Sequence, residues 1–335
     1  MSTKGTPLVV VVGTIHPAGM TLLEREARVV IPDDLSEDGV IRAAQEAEAI
    51  LFRVRPLCTE RLMASCPRLK VVGRHGVGLD TVDLAAATRL GIAVVHAPGS
   101  NSDAVAEHAV MLMLAAIKRL IPIDRATRAG QWRGQGQPRI GELKGLTLGI
   151  VGVGNIGRRV AHIAGGFGMR VLGYDPYVPA DELRRREVEP VADLPSLLAQ
   201  ADVVTCHTPH TKETHRMINA GTIAQMKDGA IFVNTSRGKV QDERALFEAL
   251  TRGKLGAAGL DVWEEEPVSV DNPLLNLDNV VCTFHVAGVS EEASRNIATQ
   301  VAAEILRVLR GEKPRVLGNP ELWPRLSHLR EPPSP

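Results

Sequence analysis

Short apolar runs alternate with segments of helical period along most of the chain. Residues 8–13 form a continuous apolar run, the pattern of a parallel strand buried on both faces. Residues 49–52, 69–72 and 92–95 repeat it. Helical patterns lie between them at 40–47, 59–65 and 82–90, the last with Asp80 and Asp83 set as its cap. Strand and helix in alternation predict a parallel sheet with helices on its faces.

A second block of the same kind follows. Pro98-Gly99-Ser100-Asn101-Ser102 breaks the pattern and caps a helix predicted over 103–120. That helix is apolar nearly all round (Ala109, Met111, Leu112, Met113, Leu114, Ile117). Such a helix is buried on several sides, within a core or at a domain or subunit interface, and the pattern leaves both readings open. Residues 130–141, rich in Gly and Gln, predict an exposed loop. Strands then recur at 170–175, 202–206, 230–234, 257–261 and 279–283, with helices between them, for example at 194–199 and 243–250. A last amphipathic helix, 291–309, carries Ile297, Val301, Ile305 and Val308 on one face, suited to packing back on the first domain. The prediction is two doubly wound α/β domains with a cleft between them. One is discontinuous, residues 1–101 with 290–335, and the other spans 102–289. Residues 331–335 predict a disordered tail.

A length of 335 residues suits two domains. The formal net charge of zero leaves no electrostatic footprint for nucleic acid or an anionic membrane surface. The polar start, Met1-Ser2-Thr3-Lys4-Gly5-Thr6, lacks the apolar core of a signal peptide, and the apolar stretch 109–117 is too short to span a bilayer. Cys58, Cys66, Cys206 and Cys282 are scattered without metal-ligand spacing, so no metal is expected and the thiols read as reduced, in a cytoplasmic protein.

The apolar run before Gly152 leads into Gly152-Val153-Gly154-Asn155-Ile156-Gly157 and then a helical run. Gly152 permits the tight strand-to-helix turn, Gly154 leaves room for a pyrophosphate, and Gly157 lets the helix lie close on the sheet. Free amides at the helix start hold phosphates. The next strand ends at Asp175, placed to bind the ribose hydroxyls and to repel a 2′-phosphate. Pro176, Tyr177 and Val178 offer no arginine for that phosphate, so the expected cofactor is NAD.

Three successive strand ends carry reactive groups. Residues 230–234 run into Thr235-Ser236-Arg237-Gly238, 257–261 run into Val262-Trp263-Glu264-Glu265-Glu266-Pro267, and 280–284 run into His285. Ligands of open α/β sheets bind at carboxyl ends of strands. Hydride exchange between an alcohol and a ketone needs a proton carrier and a cation. Histidine titrates near neutrality, a carboxylate on the imidazole raises its pKa, and an arginine fork grips a carboxylate. His207, after the strand at 202–206, is a rival base, and from the residues alone the choice between His207 and His285 stays open.

These segments resemble the D-isomer-specific 2-hydroxyacid dehydrogenases over nearly the whole chain. The resembling motifs, in the family's order, begin with Gly73-Arg74-His75-Gly76-Val77-Gly78-Leu79-Asp80, Ser100-Asn101 and Ala106-Glu107-His108. They continue through the glycine turn, Asn234-Thr235-Ser236-Arg237-Gly238, Gly259-Leu260-Asp261-Val262-Trp263 with Glu266-Pro267, and Thr283-Phe284-His285. The resemblance implies a flavodoxin-like substrate domain and a Rossmann NAD-binding domain. It implies that Arg237 holds the substrate's carboxylate and carbonyl, that His285 is the acid/base, and that Glu266 is its partner. Asp261 would contact the nicotinamide carboxamide, and the Val77-Gly78 loop would offer amides to the substrate carboxylate. Asn155, Ile156, Thr208, Thr235, Ser236 and Gly288 would line the cofactor. Closure on NAD would hinge near 98–101 and 288–290, and a homodimer built on the 103–120 helix is expected. Phe284 stands where the family has proline, and His210 where it has leucine.

Arg53 and Arg74 end first-domain strands, with Arg55 nearby, and with Arg237 they exceed what one carboxylate needs. They match phosphate-binding positions of the phosphoglycerate dehydrogenases that the chain resembles. The expected substrate is therefore D-3-phosphoglycerate-like or another doubly anionic acid such as a sulfonate, with glyoxylate or hydroxypyruvate as alternative. No carboxyl-terminal regulatory domain is expected after the last helix. NAD(H)-sensing corepressors of this fold are the rival from another class. Formate dehydrogenases, which carry glutamine at the position of Glu266, rank below both.

Overall fold

The computed structural model describes residues 5–53, 55–132, 139–326 and 329. Part of the predicted loop at 130–141 and the whole tail at 331–335 lie outside the described residues. The chain divides into two compact units, Met1–Asn101 with Ser290–Pro335, and Ser102–Val289.

The first unit holds β1 (Leu8–Val12), α1 (Pro17–Glu24), β2 (Arg28–Val30), α2 (Glu37–Ala43), β3 (Ala49–Phe52), α3 (Glu60–Ala64), β4 (Val71–Arg74), α4 (Leu84–Leu90) and β5 (Ala93–Val95). Its five strands are all parallel, in the order β2-β1-β3-β4-β5. Alternate residues of β1 enter opposite layers. Val9 and Val11 meet Leu23 of α1 together with Ile297, Val301 and Ile305 of the returning helix. Val10 and Val12 meet Val40 of α2, Leu62 of α3 and Ala86 of α4. A strand covered on both faces needs apolar residues at every position, which is why it reads as an unbroken run.

The pattern missed α1 and β2. The second is a three-residue edge strand whose Arg28 is exposed, so it carries no buried run to detect. The fourth helix begins at Leu84, and its cap is Asp83, whose carboxylate accepts from Ala86 N at 2.9 Å, rather than Asp80. Ser36 caps α2 at Gly39 N, so that helix runs earlier than 40–47.

The second unit holds α5 (Ser102–Ile117), α6 (Leu120–Arg128), β6 (Thr147–Val151), α7 (Asn155–Gly166), β7 (Arg170–Tyr174), α8 (Ala180–Arg185), β8 (Glu189–Pro190), α9 (Leu194–Gln200), β9 (Val203–Cys206), α10 (Ala220–Gln225), β10 (Ala230–Asn234), α11 (Glu243–Thr251), β11 (Leu255–Leu260) and β12 (Val280–Cys282). Then α12 (Glu291–Leu309) joins the first unit. Its seven-stranded sheet is parallel, in the order β12-β11-β10-β9-β6-β7-β8. The predicted helix over 103–120 stops at Ile117 because Arg119 turns left-handed, at φ 54°, and α6 starts afresh. Ala109, Leu112 and Met113 of α5 sit in the core beside α7, while Asp103, Glu107 and Met111 form an exposed line. Among the described residues no helix is long and apolar enough to cross a membrane.

Both sheets start from an inner strand and build outward in two directions. Chain order therefore reverses between β1 and β3 in one unit, and between β6 and β9 in the other. At such reversals the loops leaving neighbouring strands part in opposite directions and open a crevice at the carboxyl ends.

Candidate active site

The crevice of the second unit is built around the glycine turn. Gly152 has φ 89°, and its N–H donates to Tyr174 O at 2.9 Å. A Cβ there would lie 2.8 Å from Thr208 Cγ2 and 2.9 Å from His207 O, so the segment leaving β9 crosses directly over it. A Cβ on Gly157 would lie 2.3 Å from Gly152 O, so the first turn of α7 packs on the turn that precedes it. Gly154 precedes α7 without a side-chain cap, and a Cβ there would meet nothing within 4 Å. The opening amides of the helix thus face an open cradle. Asp175 is fixed at its edge, accepting from Val153 N at 2.9 Å and Tyr177 N at 3.0 Å.

These residues fit a dinucleotide. Amides await phosphates, and a held carboxylate awaits a ribose diol. The hydroxyls of Thr208 and Thr235 are buried and lack a hydrogen-bond partner among the described residues, as hydroxyls waiting for a ligand would. Asn155 and Ile156 open α7 beside the cradle. The hydroxyl of Ser236 is already committed to Asn234 Oδ1 at 2.7 Å.

The reactive groups stand on the next strand tips. Asn234 ends β10 fully buried. Its Oδ1 accepts from Ser236 N at 2.9 Å, and its Nδ2 donates to Arg237 O at 3.1 Å and Gln241 Oε1 at 2.9 Å. Gln241 passes the chain of bonds to Val262 O at 3.3 Å. A Cβ on Gly238 would lie 1.8 Å from Trp263 O, so only glycine lets the Arg237 turn sit on the Trp263 backbone. This contact ties the segment carrying Arg237 to the one leading to Glu266.

His285 Nδ1 donates to Glu266 Oε2 at 2.7 Å, and Glu266 Oε1 accepts from Trp263 N at 3.1 Å. Nε2 of His285 remains for chemistry. The Glu266 bond raises the His285 pKa above its ordinary value, while burial and Arg237 pull the other way. Burial pushes the Glu266 carboxyl up, but the bond and charge of His285, the Trp263 amide and Arg237 outweigh it and hold it below the ordinary value. The charge of Arg237 is felt by both partners. His207 is placed otherwise. Its Nε2 faces Thr205 Oγ1 at 3.1 Å, it has no carboxylate partner among the described residues, and burial pushes its pKa down to about 3. An imidazole of that pKa stays neutral and returns a proton poorly at neutral pH.

Asp261 is fully buried. Its carboxylate accepts from Thr283 Oγ1 at 2.6 Å, Val286 N at 2.9 Å and Ala287 N at 2.9 Å, while its carbonyl accepts from His285 N at 2.7 Å. His285 has φ 57°, a conformation that costs an L-residue about 1–2 kcal/mol. Asp261 is the anchor that maintains it. A contact with a nicotinamide carboxamide, the role implied by resemblance, would share these oxygens. Phe284, just before His285, is 82% exposed. His210 is exposed and faces His215 Nδ1 at 3.1 Å. Gly288 lies in the turn closed by Val289 N to Val286 O at 2.8 Å.

In the first unit, Arg53 Nη1 donates to Thr14 O at 3.3 Å, bridging the β1/β3 crevice. Arg74 ends β4 and donates to His75 O. The loop with Val77 and Gly78 is pinned by its carbonyls, Gly76 O to Ala97 N at 3.0 Å and Val77 O to His96 Nδ1 at 2.8 Å. The pattern of the sequence did not reveal Asn234, Gln241, Thr283 or His108 as scaffold, the last bonding Thr283 Oγ1 at 3.0 Å. Asn234 and Thr283 carry one signal, a polar residue at the end of an apolar strand, while His108, within α5, and Gln241, after the Arg237 turn, carry none.

Known proteins resemble the chain over most of its length. The family model for the D-isomer specific 2-hydroxyacid dehydrogenase, NAD binding domain, matches residues 110–287. The chain is 43% identical over 283 residues to a D-3-phosphoglycerate dehydrogenase of Archaeoglobus fulgidus, covering 84% of this chain and 53% of that protein. It therefore spans about half the length of that relative. It is 38% identical to a glyoxylate reductase of Korarchaeum cryptofilum, covering 94% of this chain and 97% of that one. The D-lactate dehydrogenase of Aquifex aeolicus, solved with NAD and lactic acid, superimposes with a TM-score of 0.77 at 32% identity, covering 97% of this chain and 100% of that chain.

Proposed function

The chain belongs to the D-isomer specific 2-hydroxyacid dehydrogenase family, and from that premise we propose that it interconverts a doubly anionic D-2-hydroxy acid, of the D-3-phosphoglycerate type, with its 2-keto acid. It is an NAD-dependent oxidoreductase. The observation that carries the assignment of roles is the 2.7 Å bond from His285 to Glu266, with the charge of Arg237 acting on both.

Bound NAD supplies the hydride acceptor in oxidation and, as NADH, the donor in reduction. His285 Nε2 takes the proton from the C2 hydroxyl in oxidation and returns one to the carbonyl oxygen in reduction. Glu266, on Nδ1, fixes the tautomer and stabilises the imidazolium that forms. Arg237 holds the carboxylate and the oxygen on which negative charge develops. Asp261, Thr283 and His108 hold the loop of His285, while Asn234 and Gln241 hold that of Arg237. Gly152, Gly154, Asn155, Ile156, Gly157, Asp175, Thr208, Thr235, Ser236 and Gly288 serve the cofactor. In the first unit, which serves the substrate, Val77 and Gly78 offer amides to the carboxylate, and Arg53 and Arg74 receive the second anionic group.

The test is a panel of D-2-hydroxy acids with NAD, followed by NADH absorbance. Phosphorylated or sulfonated acids are expected to turn over best, and Arg74→Ala to lower that preference. If acids with uncharged tails rank first and Arg74→Ala leaves the order unchanged, the second anion pocket is wrong. Glyoxylate or hydroxypyruvate reduction is then the reading, which the likeness to the Korarchaeum cryptofilum glyoxylate reductase supports. Tight NADH binding without turnover of any acid would point instead to a signalling role.

The proposal extends to a homodimer in the cytoplasm. The described cysteines are free thiols. Met111 of α5, Leu120 and Ile121 of α6, and Trp132 leave apolar surface exposed on the second unit, the kind of surface a subunit contact covers. Light scattering of Leu120→Glu should report a shift toward monomer. An unchanged mass would remove this surface from the contact.

A further inference from the structure

We propose that His75 is a third member of the anion pocket in the first unit, a neutral imidazole that donates from Nε2 to a terminal oxygen of the substrate's phosphoryl or sulfonyl group. This rests on the doubly anionic substrate proposed above and names the residue that distinguishes such a group from a hydroxyl.

His75 directly follows β4 and is only 6% exposed. Its backbone is fully engaged, with N donating to Phe52 O at 2.8 Å and O accepting from the Arg74 guanidinium. Its Nε2 is buried and has no hydrogen-bond partner among the described residues. Buried polar atoms of native proteins are nearly always satisfied, so an orphan of this kind calls for a bound partner. Two cations define the partner's charge. The guanidiniums of Arg53 and Arg74 both act on the ring, and Arg53 reaches across the β1/β3 crevice to Thr14 O.

A third cation in such a place would repel the two arginines. Burial first, then Arg53 and Arg74, push the His75 pKa down to about 4, while its own carbonyl, which also accepts from Arg74, pulls the other way. Near neutral pH the ring is uncharged, and its single N–H, placed on Nε2, adds a directed donor without adding charge. A tetrahedral oxyanion presents three terminal oxygens, enough for two guanidiniums and one imidazole. A hydroxyl tail offers a single oxygen without charge. The loop beyond is held independently by His96 on Val77 O and by Ala97 N on Gly76 O, so His75 is not needed to shape it.

The experiment compares wild type, His75→Leu and His75→Gln on D-3-phosphoglycerate, D-3-sulfolactate and D-glycerate, with NADH titration and thermal melting as controls. For the doubly anionic acid, His75→Leu should raise KM roughly tenfold or more, the scale for a hydrogen bond to a charged group. Its kcat, its NADH affinity and its KM for D-glycerate should stay near wild type. His75→Gln, which keeps an N–H donor, should recover part of the loss. If His75→Leu fails to fold, His75→Asn, whose shorter amide cannot reach as far, takes its place with the same expectation. Equal loss on D-glycerate and the doubly anionic acids, or no change in KM, overturns the inference while leaving the substrate reading intact. A wild type that prefers D-glycerate overturns the substrate reading itself. The phosphate and sulfonate arms differ only in which acid gives the lower wild-type KM.

Discussion

The two sheets carry crevices at equivalent places in their topology and arm them with opposite chemistry. At β6/β9 the chain removes side chains. Gly152, Gly154 and Gly157 bring backbone close and open a cradle at the helix start, beside two hydroxyls without partners among the described residues. At β1/β3 and the neighbouring tip of β4 it adds long cationic side chains, Arg53 and Arg74, around a buried histidine. A diphosphate flanked by two nucleosides is a long ligand that backbone can line, while a small acid offers few atoms and must be gripped by charge. The same strand order therefore serves two ligands, and what differs is whether the tip residues retreat or reach.

Four substitutions test that contrast. The largest effect is expected in the reacting loop of the second unit. His285→Ala should lower kcat by roughly 10²-fold or more while NADH binding, read by fluorescence titration, stays nearly intact. Normal turnover would return His207 to consideration. Gly157→Ala tests whether retreat matters at the glycine turn. A Cβ 2.3 Å from Gly152 O forces the turn to shift, and NADH affinity should fall by about tenfold, the scale of an overpacking strain. An unchanged affinity would mean that the close approach is dispensable.

Arg53→Ala tests reach in the other crevice. The KM of the acid should rise by about tenfold or somewhat less, because the Arg53 guanidinium is exposed, while NADH affinity should not move. A loss of NADH affinity instead would merge the two functions. The smallest effect is a displaced pH profile. Oxidation needs neutral His285, and its pKa is raised by Glu266, so the rate falls as pH drops through a value above that of an ordinary histidine. Reduction needs the imidazolium, and the raised pKa carries it to higher pH. Glu266→Gln should move both limbs to lower pH, and unmoved limbs would separate Glu266 from the proton carrier. The pair's contribution to stability follows the same signs. It is present below the ordinary histidine pKa and lost as pH rises through the raised one. On the acid side it is lost as pH falls through the lowered carboxyl value of Glu266.

Much of the fold was legible because parallel strands covered on both faces admit few polar residues, as in β1 and β10. The glycine turn was legible because its spacing follows from contacts local to one strand, one turn and one helix. What escaped was of another kind. The edge strand β2 buries too little to leave a run, and the break at Arg119 has no glycine or proline to announce it. Asn234 and Gln241 look like ordinary polar residues until the fold buries them against each other.

The alternation of strands and helices, the phosphate-binding turn and the set of charged residues at strand tips follow from the amino-acid order alone, because each depends on neighbours within a few residues. Which histidine meets a carboxylate became visible only in the folded chain. His285 and Glu266 are 19 positions apart, and His207 occupies an equivalent strand end with no acid bonded to it among the described residues. A hydrogen bond and a shifted pKa depend on distances of a few ångströms between segments far apart along the chain, and those distances exist only once the sheet has set the order of its strands.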